Sequence, residues 1–315
     1  MKKIRFLTIL LALSLLIQLP ALAASENTEY GALYAAGMAA LRACVDESMT
    51  DVEKLTALHD WLALHCDYGD PLGGSLPESA LINGLAVCRG YASGLAYLYT
   101  LAGLDGADTY SEDMDHAWAL ATLDGERYFS DCTWDDGKDP CLGLIRHKYW
   151  LFDERSAADT YHYGWDSGES VFGGALENAP WGAAVSRVIF FEDYAYYLDG
   201  EFRLWRCNRE TWVTEELYSL RVRWPDLDGT DAEICSGLVL IDGRLYFNTP
   251  YAICSVDLGG NGFKLHVLAR TAYPTLVYGI GVRSGVICYS LADDPDAVKY
   301  DVLLTDISAA NAWGY

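Results

Sequence analysis

The segment from Cys88 to Asp131 constrains the fold of this 315-residue chain most, because it joins one helix to one tight hairpin. From Cys88 the apolar residues recur at helical spacing until a glycine ends the pattern. Residues 116–123 then alternate as a strand, Asp124-Gly125 suits a two-residue turn, and residues 127–134 return as a second strand. The order predicts a helix followed by a hairpin whose register is set by its turn.

The hairpin register decides which side chains can meet. With a two-residue turn at Asp124-Gly125, Asp131 falls opposite Trp118, and His116 lies two residues before Trp118 on the same face. Diagonal neighbours of this kind are about 7–8 Å apart at the backbone, which is within side-chain reach. A three-residue loop would shift the register by one residue and would move His116 to the other face.

Cys88, His116 and Asp131 are the candidate catalytic residues. A thiol attacks as its thiolate, and the N-terminus of a helix or a neighbouring imidazolium lowers the thiol pKa from its free value of about 8.5. The orphan N–H groups of the first helical turn can also hold an oxyanion. A carboxylate beside the histidine can orient the ring. Taken singly, each residue has a structural alternative, namely a buried thiol, a packed histidine and a capping aspartate.

Three motifs in this segment resemble the bacterial transglutaminase-like superfamily. They are the helix start Val87-Cys-Arg-Gly-Tyr-Ala, the strand start His116-Ala-Trp, and the stretch Phe129-Ser-Asp-Cys-Thr-Trp-Asp-Asp136. His59-Asp-Trp-Leu and His147-Lys-Tyr-Trp-Leu-Phe also fit, so the resemblance covers residues 50–165.

The resemblance implies an α+β fold with a papain-like core, a helix packed on an antiparallel sheet. It carries over Cys88 as nucleophile, His116 as base and Asp131 as the residue that orients the base. Such a site transfers acyl groups from protein or peptide amides, either to water, as in a protease or deamidase, or to an amine, as in a transglutaminase. Ala119 departs from the family, which often has Asn there, but that position is outside the triad.

Helical segments are also predicted before this core. Residues 31–44 are rich in Ala and Leu, and Thr50-Asp-Val-Glu53 is a capping box that opens another helix. Residues 78–83 suit one short helical turn, which a glycine ends.

Composition and spacing divide the chain into four parts. Residues 1–23 have basic residues, an apolar run and Ala21-Leu22-Ala23, which indicates a cleaved signal peptide, a secreted protein and no stable membrane insertion. A membrane anchor is the alternative. Residues 24–166 form the predicted transglutaminase-like domain, 167–184 a glycine-rich linker, and 185–315 an all-β domain. Its tyrosines at 196, 246 and 289 recur at about the spacing of propeller blades, so propeller-like repeats and a sandwich remain open.

The net charge and the cysteine content limit which partners and which covalent bonds the chain can have. A net charge of −23 argues against nucleic acid or an anionic membrane. Nine cysteines are an odd number, so at least one thiol is unpaired, and Cys132 with Cys141 could close a short loop. The acidic run at 293–296 lacks the ligand spacing of a calcium loop, so we expect no metal and no cofactor.

The alternative function is a non-enzymatic cell-surface module whose β domain binds a surface ligand.

Overall fold

The structure is a computed structural model in which β-strands predominate over helices in an α+β arrangement. It describes residues 29–69, 73–137, 142–157, 159–165, 176, 179–219, 222, 234–266, 276–283, 286–292 and 300–308. The helices are α1 (Glu29–Cys44), α2 (Asp51–His65), α3 (Pro77–Leu81), α4 (Cys88–Leu101), α5 (Cys132–Asp135) and α6 (Glu154–Ala157), with a 3₁₀ turn at Pro180–Ala183.

The strands fall into a first and a second group along the chain. The first group is β1 (Asp67–Tyr68), β2 (Leu85–Ala86), β3 (Asp105–Ser111), β4 (His116–Leu123) and β5 (Glu126–Ser130). The second group is β6 (Ile189–Phe191), β7 (Tyr194–Leu198), β8 (Arg203–Asn208), β9 (Thr214–Ser219), β10 (Leu238–Ile241), β11 (Arg244–Asn248), β12 (Ile253–Asp257), β13 (Lys264–His266), β14 (Leu276–Arg283), β15 (Val286–Ala292) and β16 (Tyr300–Ser308). Strands β1 and β2 pair in parallel, and β3-β4-β5 form an antiparallel sheet.

Small residues let helix α4 lie close to this sheet. Ala119 and Ala121 of β4 are buried in the core that the apolar face of α4 also fills. A Cβ atom on Gly106 of β3 would lie 2.3 Å from the carbonyl oxygen of Ala96, so only glycine permits this approach. On the opposite face of β4, Trp118 packs in a separate cluster. Both faces of β4 are therefore covered, which holds its first residue in place.

The β4–β5 hairpin has the predicted two-residue turn. Leu123 pairs with Glu126 and Ala119 pairs with Ser130, the register that a turn at Asp124-Gly125 requires. Asp124 has φ of 53° and Gly125 has φ of 82°, and positive φ at both central residues defines the type I′ turn that matches strand twist. The prediction for the hairpin turn is confirmed.

The second group of strands forms three successive antiparallel meanders, β6–β9, β10–β13 and β14–β16. Tyr196 and Tyr246 occupy the third position of β7 and β11, whereas Tyr289 occupies the fourth position of β15. The described strands do not close into a barrel or a propeller. The three tyrosines lie in the second strand of successive meanders, with the third displaced by one residue, and the repeat that they suggest stays a prediction.

A buried ion pair joins the helical region to the first meander. Glu53 is 2% exposed, and its carboxylate accepts the Nε and Nη2 hydrogen atoms of Arg209 at 2.7 Å each. The same carboxylate accepts the N–H of Thr50 at 2.8 Å, so the predicted capping box is confirmed. The apolar core is also continuous across this boundary, since Trp181 and Phe190 belong to the same cluster as the helices.

The structure corrects three details of the first region. Strand β5 ends at Ser130 and not at residue 134, because Asp131 caps α5 by accepting the N–H groups of Thr133 and Trp134 at 3.0 and 3.2 Å. Residues 105–111, expected to be a loop, form β3. Cys132 is a free buried thiol, so the disulfide suggested between it and residue 141 is not formed.

Several predictions fall outside the described residues. These are the signal peptide at 1–23, the acidic run at 293–296 and most of the linker at 167–184. The proposed domain boundaries stay a prediction. In the part of the chain that the structure describes, no helix has both the length and the apolarity needed to cross a bilayer.

We predict that Arg209→Ala lowers the free energy of unfolding by about 3 kcal/mol, because it leaves the buried Glu53 carboxylate without its cation. Urea unfolding measures the change. Lys54→Ala is the matched control, since Lys54 pairs with Asp51 at 2.7 Å on an exposed helix face. The control should change stability by at most about 0.5 kcal/mol. Equal effects of the two variants would contradict a structural role for the buried pair.

Candidate active site

Cys88 is the first residue of α4 and is half-buried. Its helix has no side-chain cap. The N–H groups of Gly90 and Tyr91 donate to the Val87 carbonyl at 2.9 and 3.1 Å, and that of Arg89 donates to the Cys88 sulfur. The backbone around Gly90 fixes this turn against the preceding loop, because a Cβ atom there would lie 2.3 Å from the carbonyl oxygen of Gly74. That carbonyl accepts the N–H of Val87 at 3.0 Å. The nucleophile candidate thus sits on a tightly held backbone.

His116 and Asp131 meet as the hairpin register predicts. His116 begins β4, Asp131 directly follows β5, and His116 Nε2 lies 2.7 Å from Asp131 Oδ2. A side-chain hydrogen bond between Cys88 and His116 contributes to the pKa shifts of both residues. The structure therefore places Cys88 beside His116 and His116 beside Asp131.

The pKa of the Cys88 thiol is lowered, although partial burial alone would raise it. The hydrogen bond with His116 and the backbone N–H groups of Ala117 and Arg89 favour the thiolate and outweigh the desolvation. Other thiols behave in the opposite way. Burial raises the pKa of Cys66 to about 12 and that of Cys132 well above its ordinary value.

The pKa of His116 is raised to about 9. Burial works against its cation, but the hydrogen bonds and charges of Asp131 and Cys88 stabilise it. Asp131 is fully buried, and burial alone would raise its pKa; its two histidine partners, His116 and His162, lower it instead. The direction of each shift favours the charged form, namely the thiolate of Cys88, the imidazolium of His116 and the carboxylate of Asp131.

Aromatic rings enclose the imidazole of His116. The Trp134 ring stacks on it with centroids 4.7 Å apart and an interplanar angle of 16°. Trp118 lies at 5.9 Å on the same strand face. The segment that carries Tyr149 runs beside β5, and its carbonyl accepts the N–H of Asp131 at 2.8 Å. These contacts hold His116 and Asp131 in place and exclude water from the hydrogen bond between the two side chains.

His162 also contacts Asp131, and sequence reasoning did not give it a role. Its Nε2 atom lies 3.1 Å from Asp131 Oδ2, the oxygen that also contacts His116. The sequence signal was weak, because His162 follows the core motifs by about 30 residues in an aromatic-rich segment with no clear periodicity. Only the fold brings this histidine to the carboxylate.

A second buried polar cluster lies behind the site. Asp60 Oδ1 lies 3.0 Å from His59 Nδ1 and 2.8 Å from His147 Nε2, and Asp60 Oδ2 accepts the N–H of Val188 at 2.7 Å. His59 Nε2 lies 3.3 Å from Asp135 Oδ2. Because Asp60 belongs to α2 and Val188 precedes β6, this cluster links the helical region to the first meander.

Within the described residues, two groups have donor atoms of the kind that bind transition metals. They are His59, Asp60 and His147, and His116, Asp131 and His162. In both groups the imidazole nitrogens face the carboxylate of the same group at hydrogen-bond distance. The contacts are those of a hydrogen-bond network, and the absence of a metal or cofactor stays a prediction.

The chain has distant similarity to known structures. No protein-family model matches it, and a search of curated proteins gave no match. A solved structure described as "a TGase" matches with a TM-score of 0.28 and 16% identity, over 34% of this chain and 33% of its own.

PorZ, an essential bacterial surface component of the type-IX secretion system of Porphyromonas gingivalis, matches with a TM-score of 0.24 and 15% identity, over 64% of this chain and 22% of its own. The chain spans a third or less of both proteins. TM-scores this low do not carry an inference about fold or function.

We predict that iodoacetamide at pH 7 alkylates Cys88 before Cys132, because the pKa of Cys88 is lowered and its side chain is partly exposed, whereas burial raises the pKa of Cys132. His116→Gln should slow alkylation of Cys88 by about tenfold or more, since the thiolate loses its cation. Peptide mapping by mass spectrometry measures both rates. His266→Gln, in β13, is the control and should leave them unchanged. Uniform alkylation, or an unaltered rate in His116→Gln, would refute an activated thiol.

Proposed function

We propose that the chain is a thiol-dependent acyl-transfer enzyme that acts on amide bonds of proteins or peptides. Cys88 is the nucleophile, His116 the general acid and base, and Asp131 the residue that orients His116. The observation that supports this proposal most is the lowered pKa of Cys88 beside an imidazole that is itself anchored at 2.7 Å. A buried structural cysteine would have a raised pKa, as Cys66 and Cys132 do.

In the first half-reaction the Cys88 thiolate adds to the amide carbonyl carbon. The negative charge that develops on the carbonyl oxygen is stabilised by N–H groups at the start of α4. The His116 imidazolium then gives its proton to the amide nitrogen, the C–N bond breaks and the amine leaves. The products are a thioester on Cys88 and a neutral His116.

In the second half-reaction neutral His116 takes a proton from the acceptor as the acceptor attacks the thioester. Water as acceptor gives a carboxylic acid, and a primary amine gives a new amide. Either acceptor restores the thiolate and the imidazolium. Asp131 stabilises the imidazolium in both halves and does not itself transfer a proton.

The fold proposed for this function is a transglutaminase-like core. Supporting features are a helix that begins at the nucleophile and an antiparallel sheet on which that helix packs. We also propose that the protein is exported, on the basis of the signal-like residues 1–23. The three meanders would then contribute to recognition of a protein or peptide substrate at the cell surface.

A non-enzymatic surface module is the alternative function, and it is less well supported. A binding module has no use for a thiol with a lowered pKa beside an anchored imidazole. The first meander also contacts the helical region through the buried pair of Arg209 and Glu53. Removing this meander should therefore destabilise the helical region, so its deletion does not separate the two functions.

We predict that incubation with a peptide library traps an acyl group on Cys88, detectable by intact mass and peptide mapping. Adding a primary amine should release amide products if the enzyme cross-links, and acids alone if it hydrolyses. Cys88→Ala should show no adduct and no turnover. Cys44→Ser, a conservative change at a buried thiol in α1, is the control and should retain both the adduct and turnover. Full turnover by Cys88→Ala would refute the proposed function.

We predict a bell-shaped dependence of turnover on pH. The rate should rise as pH passes the lowered pKa of Cys88, because the thiolate forms, and should fall near pH 9, because the His116 imidazolium loses its proton. Initial rates between pH 4 and pH 10, with a substrate that the trapping experiment has identified, measure both the acidic and the alkaline limit. An alkaline limit near 6.5, the ordinary value for histidine, would mean that Asp131 does not stabilise the cation.

A further inference from the structure

Tyr110 of β3 lies on the face of the sheet that packs against α4. It pairs with Ala117 of β4, and residues directly opposite each other in an antiparallel pair project to the same face. Ala117 alternates with Ala119, which belongs to the core that α4 also fills. The half-buried Tyr110 ring lies at the start of α4, because the guanidinium carbon of Arg89 is 4.6 Å from its centroid.

The hydroxyl of Tyr110 contacts the residue that precedes the base. It donates to Asp115 Oδ1 at 2.5 Å, and this hydrogen bond raises the pKa of Tyr110, so the hydroxyl keeps its hydrogen. Asp115 has φ of 49°, in the left-handed region that residues other than glycine enter at a cost. Its backbone N–H makes a long contact of 3.3 Å with the Glu112 carbonyl. The contact with Tyr110 therefore helps to hold the backbone from which His116 projects.

The ring of Tyr110 contacts the residue that follows the nucleophile. Arg89 comes directly after Cys88 in α4, and its backbone N–H donates to the Cys88 sulfur. Its side chain is exposed, but the guanidinium stays over the Tyr110 ring, whose face attracts a cation. Tyr110 thus connects the neighbour of Cys88 with Asp115, the neighbour of the base.

This connection differs from other contacts between α4 and β4 at the site, because the reacting sulfur takes no part in it. The Cys88 sulfur accepts the N–H of Ala117, and it shares a hydrogen bond with His116. Both contacts weaken when the sulfur forms a bond to a substrate carbon and loses its negative charge. The contacts of Tyr110 are independent of the sulfur and can persist through the reaction.

We propose that Tyr110 is a positioning residue that ties the start of α4 to the start of β4 and so keeps Cys88 and His116 aligned. The assignment rests on the proposed function, in which His116 gives a proton to the leaving amine and later takes one from the acceptor. Both transfers depend on alignment, and small displacements of a reacting group are costly in rate. Asp131 holds the ring of His116 from the buried side, and Tyr110 holds its backbone from the exposed side.

Four variants isolate the hydrogen bond between Tyr110 and Asp115. Tyr110→Phe removes the hydroxyl and keeps the ring below Arg89. Asp115→Asn keeps an acceptor oxygen and Asp115→Ala removes it, while both remove the carboxylate, so the difference between these two reports the contact alone. The double variant Tyr110→Phe/Asp115→Ala completes a double-mutant cycle. Tyr251→Phe, at a tyrosine that is 48% exposed between β11 and β12, is the matched control.

The charges around the site stay the same in Tyr110→Phe. The titratable groups that act on Cys88 or on Tyr110 are His116, Tyr68, Arg89 and Asp115. The substitution alters none of them and replaces one neutral ring by another. A change in the reactivity of Cys88 in this variant therefore reports geometry and not charge.

The direct test is the pH dependence of Cys88 alkylation by iodoacetamide, followed by peptide mapping, which needs no substrate. The thiolate is the reacting form, so the midpoint of the profile reports how well His116 stabilises it. Tyr110→Phe should raise the midpoint by about half a pH unit, which slows alkylation about threefold on the acidic side. The midpoint of Asp115→Ala should exceed that of Asp115→Asn by a similar amount. The double variant should match Asp115→Ala, and the control should match the unaltered protein.

Turnover supplies a second readout. With a peptide that the trapping experiment has identified, Tyr110→Phe should lower kcat about fivefold with little change in KM, because alignment is lost while substrate contacts remain. Its urea midpoint should match that of Tyr251→Phe, because the hydrogen bond is exposed. A merely structural role for Tyr110 would lower the urea midpoint and leave the alkylation midpoint where it was.

Two alkylation results would overturn the proposal: an unchanged midpoint in Tyr110→Phe, or additive shifts in the double variant. The first is decisive even if Asp115→Ala fails to fold because of its positive φ. Neither result bears on whether Cys88 turns over a peptide. Conversely, turnover by Cys88→Ala would end the proposed function, and the alkylation midpoints would still measure the contact of Tyr110.

Discussion

The carboxylate of Asp131 holds the candidate site together, because four hydrogen bonds converge on it inside an apolar enclosure. Oδ1 accepts two backbone N–H groups of α5, and Oδ2 faces two imidazoles at 2.7 and 3.1 Å. A buried carboxylate without such partners would be costly and would take up a proton. With them it stays ionised, and its charge raises the pKa of His116 to about 9. The thiolate character of Cys88 depends on that imidazolium in turn.

Local sequence rules were sufficient for the parts of this arrangement that depend on neighbouring residues. Asp124-Gly125 predicts a type I′ turn, and the turn alone fixes the register that brings His116 and Asp131 together. The capping box at Thr50 and the start of α4 at Cys88 follow from equally local patterns. The end of β5 was predicted four residues too late, because a capping aspartate and a strand aspartate look the same in sequence.

Contacts between distant residues could not be predicted in this way. His162 reaches Asp131 from 31 positions away, and Arg209 reaches Glu53 from 156 positions away. Neither contact leaves a periodic signal, and the same holds for the apolar core that the first meander shares with the helices. Tyrosines recur in the second strand of each meander, but a shift of one residue at Tyr289 shows that side-chain recurrence describes strand packing only loosely.

The central claim is that Asp131 keeps His116 as an imidazolium beside a Cys88 thiolate. A joint X-ray and neutron crystal structure of the deuterated protein at pH 7 tests it most directly, because neutrons locate the exchangeable hydrogens. We predict deuterium on both ring nitrogens of His116, none on the sulfur of Cys88 and none on Asp131. Deuterium on the sulfur beside a neutral imidazole, or an imidazole turned away from the sulfur, would contradict it.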